Sequence, residues 1–291
     1  MKILITGAKG QLGSELTDVI EKGFSDIGEI DSAYKDAELT LTGIDELDIT
    51  DHDAVEEYIL AGGFDYVINC AGMTNVDACE RFSQEAFEIN ALGPKNLAQA
   101  CQLSNSVLVH ISTDYVLKGL SSCPQDEDAP CKPQSVYGSS KLAGEIGVIE
   151  NCNRYFIFRT AWLYGKKGDN FVKTILRIAQ ENSSITVVND QMGSPTNAND
   201  LAYEMVKVIL TENYGIYNCT GNDFCTWFDF ACEIVANASI DCDVRPCTTD
   251  EFPRAAKRPV FSILDNKHLR DTVGDDMRVW REALWAFMEG E

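Results

Sequence analysis

The stretch Lys2-Ile-Leu-Ile-Thr-Gly7-Ala-Lys-Gly10-Gln-Leu-Gly13-Ser-Glu-Leu-Thr-Asp-Val-Ile-Glu-Lys22 decides the fold. A short apolar run, Lys2 to Thr6, ends in a glycine turn, and apolar residues then recur at Leu12, Leu16, Val19 and Ile20 with helical spacing. Glycine serves such a junction where the chain turns sharply, where backbone approaches a pyrophosphate, and where helix packs on strand. Phosphates then meet the positive N-terminus of the helix. The spacing is GxxGxxG, one residue longer than GxGxxG, and glycine turns also occur for purely structural reasons. Its place at the first strand-to-helix junction is what favours a dinucleotide.

The same alternation continues outward. Strands are expected at Glu38 to Leu41, Tyr66 to Ala71, Val107 to Ser112 and Tyr155 to Thr160, with helices at Gln84 to Leu103 and Tyr137 to Glu150. Strands apolar on both faces, separated by helices, predict an α/β fold with a doubly wound Rossmann-type parallel sheet. A smaller α/β C-terminal substrate lobe is expected after it. The expected division is 1–165 for the NAD(P)-binding domain and 166–291 for the substrate lobe, with chain around 215–235 returning to the first. Later helices are expected at Asn170 to Glu181, Asp200 to Leu210, Trp227 to Ala238 and Arg278 to Met288, and strands at Ile185 to Asn189 and Gly215 to Cys219. Phe24 to Ala37 yields no assignment.

Charge excludes several function classes. The 291 residues carry 24 Lys plus Arg against 46 Asp plus Glu, a net charge of −22. A nucleic-acid binder needs a basic footprint, and an anionic membrane surface would repel this chain. An anionic small molecule stays open, provided that a local pocket gathers the scarce cations. No apolar stretch approaches the ~20 residues of a membrane span. Eleven cysteines include no CxxC pair, so neither a zinc ribbon nor a redox dithiol is indicated. Met1 leads straight into the first strand, and a reducing cytoplasm is the expected compartment. Three histidines are too few for a multi-His metal site.

A second signal is Tyr137-Gly-Ser-Ser-Lys141 at the start of a helix. A spacing of four puts Tyr and Lys on one face, where an ammonium would lower the phenol pKa and suit Tyr137 to proton transfer at a carbonyl. YxxxK also occurs by chance. Its weight comes from Ser112-Thr113-Asp114 at the C-terminal end of the preceding strand, where open α/β sheets bind ligands.

Together these residues resemble the extended short-chain dehydrogenase/reductase family. Ile111-Ser-Thr-Asp-Tyr-Val116, Arg159-Thr-Ala-Trp-Leu-Tyr-Gly165, Asn170-Phe171, Asp190-Gln-Met-Gly-Ser-Pro-Thr196, Lys257-Arg-Pro259 and Asn69-Cys-Ala-Gly-Met-Thr-Asn-Val-Asp77 resemble the dTDP-4-dehydrorhamnose reductase branch of that family, as does Asn90. The likeness runs from Met1 to the C-terminal helix.

The resemblance implies the following roles. Tyr137 is the acid, Lys141 its pKa-lowering partner and ribose holder, and Thr113 orients the substrate carbonyl. Gly7, Gly10, Gln11, Leu12 and Gly13 lie along the cofactor pyrophosphate, Asp48 and Ile49 beside the adenine, and Cys70, Ala71, Gly72, Thr74 and Ile111 along the rest of NADPH or NADH. Asp114, Trp162, Asn170, Gln191 and Arg258 face a small-molecule sugar nucleotide, Arg258 as a fork for diphosphate. The implied reaction is reduction of a 4-keto-6-deoxy sugar on a nucleoside diphosphate by a monomer or homodimer. Taken as residues alone, Trp162 also fits a core, Asn90 a satisfied buried amide, Arg258 a surface charge and Asp190 to Thr196 a simple turn.

Two features depart from the family pattern. Gly43 stands where an acid often ends the second strand, so Lys9 is expected to meet a 2′-phosphate unless Asp45 or Asp48 supplies the acid. Glu15 matches one acidic residue of metal-dependent dimers without its partners, so no metal site is assigned, with Mg2+ left open. Tyr115 replaces the Glu that dehydratases place after Asp, which disfavours elimination. Epimerisation and a non-catalytic dinucleotide-binding subunit remain the alternatives.

Overall fold

The computed structural model describes residues 1–289. Its larger layer is built from β1 (Lys2–Thr6), α1 (Gln11–Lys22), β2 (Glu38–Thr42), α2 (His52–Gly62), β3 (Tyr66–Asn69), α3 (Val76–Arg81), α4 (Ser83–Phe87), α5 (Gly93–Ser104), β4 (Val107–Thr113), α6 (Val136–Asn151) and β5 (Tyr155–Thr160). There follow β6 (Leu163–Tyr164), α7 (Phe171–Glu181), β7 (Ser184–Val188), β8 (Met192–Gly193), β9 (Thr196–Asn197), α8 (Ala198–Val208), β10 (Gly215–Asn218), β11 (Cys225–Thr226), α9 (Trp227–Asn237), β12 (Asp243–Cys247), α10 (Lys267–Thr272) and α11 (Trp280–Glu289). Among the described residues no helix is long and apolar enough to cross a membrane.

Six parallel strands form the main sheet in the order β10-β5-β4-β3-β1-β2. The chain passes from β1 outward to β2 and then crosses back over β1 to β3 and on to β4, so the order reverses and a crevice opens between β1 and β3 at their C-terminal ends. Both faces are covered. On one, Leu12, Leu16 and Val19 of α1 meet Leu201, Ala202 and Met205 of α8; on the other, Val55 and Ile59 of α2 pack with Leu97, Cys101 and Val148 of α5 and α6. A third core holds Tyr164, Val172, Ile175, Phe230, Trp280 and Phe287 beside the β12–β7 pair. The chain near 215–235 therefore divides: β10 extends the main sheet, and α9 packs in the third core.

Three segments differ from the sequence reading. The helix expected over Gln84 to Leu103 is interrupted by a π-turn at Glu88–Leu92. Pro94 in the first turn of α5 has no N–H to give, and a Cβ on Gly93 would come within 2.6 Å of Ile49 Cδ1. The widened turn sends Asn90 inward. α2, capped by Asp51 and ended by Gly63 in left-handed conformation, escapes an apolar-period reading because only Val55 and Ile59 are buried. Phe24 to Ala37 holds a short 3₁₀ turn, and Tyr34 in it donates to the Val206 carbonyl at 2.8 Å.

Candidate active site

The glycine turn does what its spacing requires. Gly7 has φ +63°, and a Cβ there would lie 2.6 Å from the Ala71 nitrogen, so β1 and β3 approach as only glycine permits. A Cβ on Gly13 would sit 2.5 Å from the Gly7 carbonyl, which packs α1 tightly on the turn. The N-cap of α1 is Gly10, with no side chain to satisfy the first N–H groups. These are the features of a cradle for an anionic pyrophosphate. A cleft of about 320 Å³ opens here, lined by Gly7, Lys9, Gly10, Gly43, Asp48, Ile49, Cys70, Ala71 and Gly72, all anticipated near the cofactor, and by Thr6 and Thr50.

Other residues expected along the cofactor stand differently. The Gln11 amide donates to the Leu163 carbonyl at 3.0 Å and its Oε1 accepts from Asn170, so this side chain joins two parts of the chain. Leu12 is buried in the core, and Thr74 is exposed. Ile111 contributes its carbonyl, which accepts from the Lys141 ammonium.

Catalytic candidates meet where β4 ends and α6 begins. Ser135 caps α6, accepting from Gly138 at 3.1 Å, and places Tyr137 and Lys141 one turn apart. Tyr137 stands edge-on to Tyr115, ring centroids 5.4 Å apart. Thr113 Oγ1 donates to Asp114 Oδ1 at 2.9 Å. Asn90 accepts from Met73 N at 2.8 Å and donates to the Met73 carbonyl at 3.0 Å and Ser140 Oγ at 3.1 Å. It is a satisfied buried amide that ties the cofactor side of the cleft to α6.

Electrostatics corrects one expectation. Lys141 does not lower the Tyr137 pKa: burial pushes that hydroxyl well up, the Thr113 hydroxyl opposes it, and the Lys141 ammonium is turned to Ile111 instead. Burial also pulls Lys141 down to about 8. Asp114 is driven up to about 7 by burial, which outweighs the hydroxyls of Thr113 and Ser262. Tyr137 is thus a neutral proton donor throughout the physiological range, and Asp114 Oδ2 is buried without a hydrogen-bond partner.

A second cleft of about 430 Å³ is lined by Tyr115, Phe171, Gln191, Trp227, Arg254 and Arg258 among others. Arg258 pairs with Asp77 at 2.8 Å, while its Nη1 is buried and unpartnered, a donor left for an anion. Asp77 also accepts from Ala256 N at 3.0 Å, drawing the 248–259 loop to the cleft. Gln191 donates to Thr249 at 2.9 Å. Trp162 adopts φ +48° and stacks on Trp227 at 3.4 Å, with Gly193 leaving room beneath its indole.

Asn170, expected at the sugar nucleotide, is not among the residues that line the second cleft, although its neighbour Phe171 is. The Asn170 amide caps α7 and donates to Gln11 at 3.0 Å and the Gly165 carbonyl at 2.9 Å, away from the second cleft. Arg254, Trp227, Phe171 and Asp77 were not assigned site roles from the sequence, although Phe171 and Asp77 stand inside the strings that carry the resemblance; for Arg254 the available signal was the paucity of cations, which makes an Arg close to the KRP string informative. Glu15 is buried, accepting from Lys166 N and the Asn199 amide. Gly43 is not followed by an empty strand end either: Glu46 folds back, accepting from Gly43 N at 2.7 Å and from Lys9 at 3.4 Å.

Comparison with known proteins agrees with this geometry. The family described as RmlD substrate binding domain matches residues 1–290. A solved dTDP-4-dehydrorhamnose reductase from Clostridium acetobutylicum is 45% identical, with TM-score 0.94 over 99% of each chain. Another from Bacillus anthracis, solved in complex with NADP, is 39% identical with TM-score 0.93, covering 100% of this chain and 99% of that one. The dTDP-4-dehydrorhamnose reductase of Streptomyces griseus is 38% identical over 288 residues, 97% of this chain and 91% of that protein.

Proposed function

The chain belongs to the RmlD substrate binding domain family, and from that premise we propose that it reduces the 4-keto group of dTDP-4-dehydro-L-rhamnose to give dTDP-L-rhamnose. It is an oxidoreductase that uses NADPH or NADH. The observation that carries the reading is the junction at Tyr137: a neutral buried phenol beside Thr113, in a molecule that has both a glycine-cradled cleft and an arginine-bearing cleft.

The dinucleotide, when bound, supplies hydride to the keto carbon. Tyr137 gives its proton to the carbonyl oxygen, and the Thr113 hydroxyl, turning its one proton away from Asp114 Oδ1, donates to that same oxygen. Lys141, anchored on the Ile111 carbonyl, would hold the nicotinamide ribose when the dinucleotide is bound. The free N–H groups of α1 receive the pyrophosphate, and Arg258, with Arg254 nearby, receives the diphosphate of the sugar nucleotide. Asp114 and Trp162 position the sugar. All eleven cysteines are free thiols, which supports a place in the cytoplasm.

Purified protein mixed with dTDP-4-dehydro-L-rhamnose and NADPH, then NADH, should consume the reduced nicotinamide and yield dTDP-L-rhamnose. No consumption with either cofactor would remove the reading.

A further inference from the structure

We propose that Glu46 sets the balance between NADH and NADPH, occupying with Lys9 the place where the adenosine ribose 2′ position meets the protein. The proposal rests on the reading of the glycine-cradled cleft as a dinucleotide site. An acid at the end of the second strand of such folds bonds a ribose 2′-hydroxyl and repels a 2′-phosphate. Here β2 ends at Thr42, and the next residue, Gly43, has no side chain to serve. The turn closes with Leu47 N on the Gly43 carbonyl at 3.0 Å, and this brings Glu46 back over the strand end.

Both carboxylate oxygens are fixed at that spot. Oε2 accepts from Gly43 N at 2.7 Å, and Oε1 accepts from Lys9 Nζ at 3.4 Å. A Cβ on residue 43 would stand 3.1 Å from Oε2, so glycine leaves the room that the carboxylate takes. Lys9 and Gly43 both line the cleft. The Gly43 N–H and the Lys9 charge hold the Glu46 carboxyl below its ordinary range, so it is ionised at neutral pH. Of the neighbouring acids, Asp48 turns its Oδ1 to Thr50 N and Oγ1 at 2.9 and 2.8 Å, within its own turn and not back to Gly43 as Glu46 does.

A carboxylate has about four acceptor sites, so Glu46 retains capacity for a ribose hydroxyl. A 2′-phosphate in the same place faces its charge, and the Lys9 ammonium, already 3.4 Å from Glu46 Oε1, must be shared between the two anions. Exposure of both side chains, 80% for Lys9 and 46% for Glu46, makes this a soft preference rather than a barrier.

Dissociation constants for NADPH and NADH, measured by calorimetry without sugar nucleotide, test it in wild type, Glu46→Gln and Lys9→Ala. Gln keeps the reach to Gly43 N but loses the charge. Glu46→Gln should favour NADPH over NADH by about three- to tenfold relative to wild type, a scale suited to partly exposed charges. Lys9→Ala should weaken NADPH more than NADH. An unchanged NADPH-to-NADH ratio in Glu46→Gln overturns the inference while leaving the reductase reading intact. Failure of wild type to bind either cofactor overturns both.

Discussion

Tyr137 works in surroundings that keep it protonated, and the two groups beside it divide the remaining tasks. On the proposed mechanism the phenol is the proton source, so Tyr137→Phe should lower kcat by about 10²- to 10⁴-fold. Binding of NADPH should change little, since the cleft residues around the glycine turn are untouched. A loss below about tenfold would take the role from Tyr137. Lys141 shows what the site costs the fold. Burial depresses its pKa from 10.5 to about 8, so the folded state disfavours the ammonium. Its contribution to stability is present above pH 10.5, where both states are neutral, and is lost as pH falls through about 8. Lys141→Met should therefore stabilise the cofactor-free protein by about 1–3 kcal/mol at pH 7 while abolishing turnover. Denaturant melts at pH 7 and pH 10.5 check the sign: a gain equal at both pH values would mean better packing, with no relief of a buried charge.

At the scale of elements, the contact between α6 and the π-turn positions the catalytic pair against the cofactor side. Gly144 on α6 faces the Asn90 carbonyl so closely that a Cβ would come within 2.2 Å of that oxygen. Alanine ordinarily gains about 1 kcal/mol over glycine inside a helix. Here Gly144→Ala should instead destabilise by about 1–3 kcal/mol, because backbone must shift to admit a methyl group. Thermal unfolding gives the sign directly, and a higher melting temperature would contradict the close approach. The π-turn lies inside what the sequence presents as one long helix, since helical periodicity does not separate an i+4 from an i+5 turn over five residues. Asn90 itself was legible as a buried amide, yet its partners, Met73 and Ser140, lie 17 and 50 residues away.

For the whole molecule, a few long-range links join the sheet layers to the third core. Arg278, just before α11, holds Asp200 of α8 at 2.5 and 2.9 Å, and Asp26 at 3.9 Å. Asp200 is almost fully buried, and even with this partner burial raises its pKa. Removing the guanidinium leaves an unpaired buried carboxylate, so Arg278→Met should destabilise by about 2–4 kcal/mol at pH 7, with part of the loss recovered at acid pH as Asp200 protonates. Urea unfolding at pH 7 and pH 5 measures both. A deficit that does not shrink at low pH would show that lost packing, rather than the stranded charge, dominates. Gln11 and Asn170 form a second link across the same boundary, side chain to side chain.

Local order determined what the sequence could determine. Strand, glycine turn and helix follow within twenty-two residues, so the dinucleotide cradle is specified by near neighbours, and the i, i+4 spacing alone sets Tyr137 and Lys141 on one helical face. Charge count likewise needs no coordinates: a net charge of −22 weighs against the basic footprint that nucleic acid requires. Tertiary structure decided everything that depends on which distant group arrives first. It turned Lys141 to Ile111, paired Arg258 with Asp77 across 181 residues, drew Asn170 to Gln11, and stacked Trp162 on Trp227. It also returned Glu46 to the end of β2, where the linear order showed only a glycine. The physical reason is the same in each case. Periodicity and turn chemistry act over a few residues, whereas the partner of a buried polar group is whichever donor or acceptor packing brings within about 3 Å.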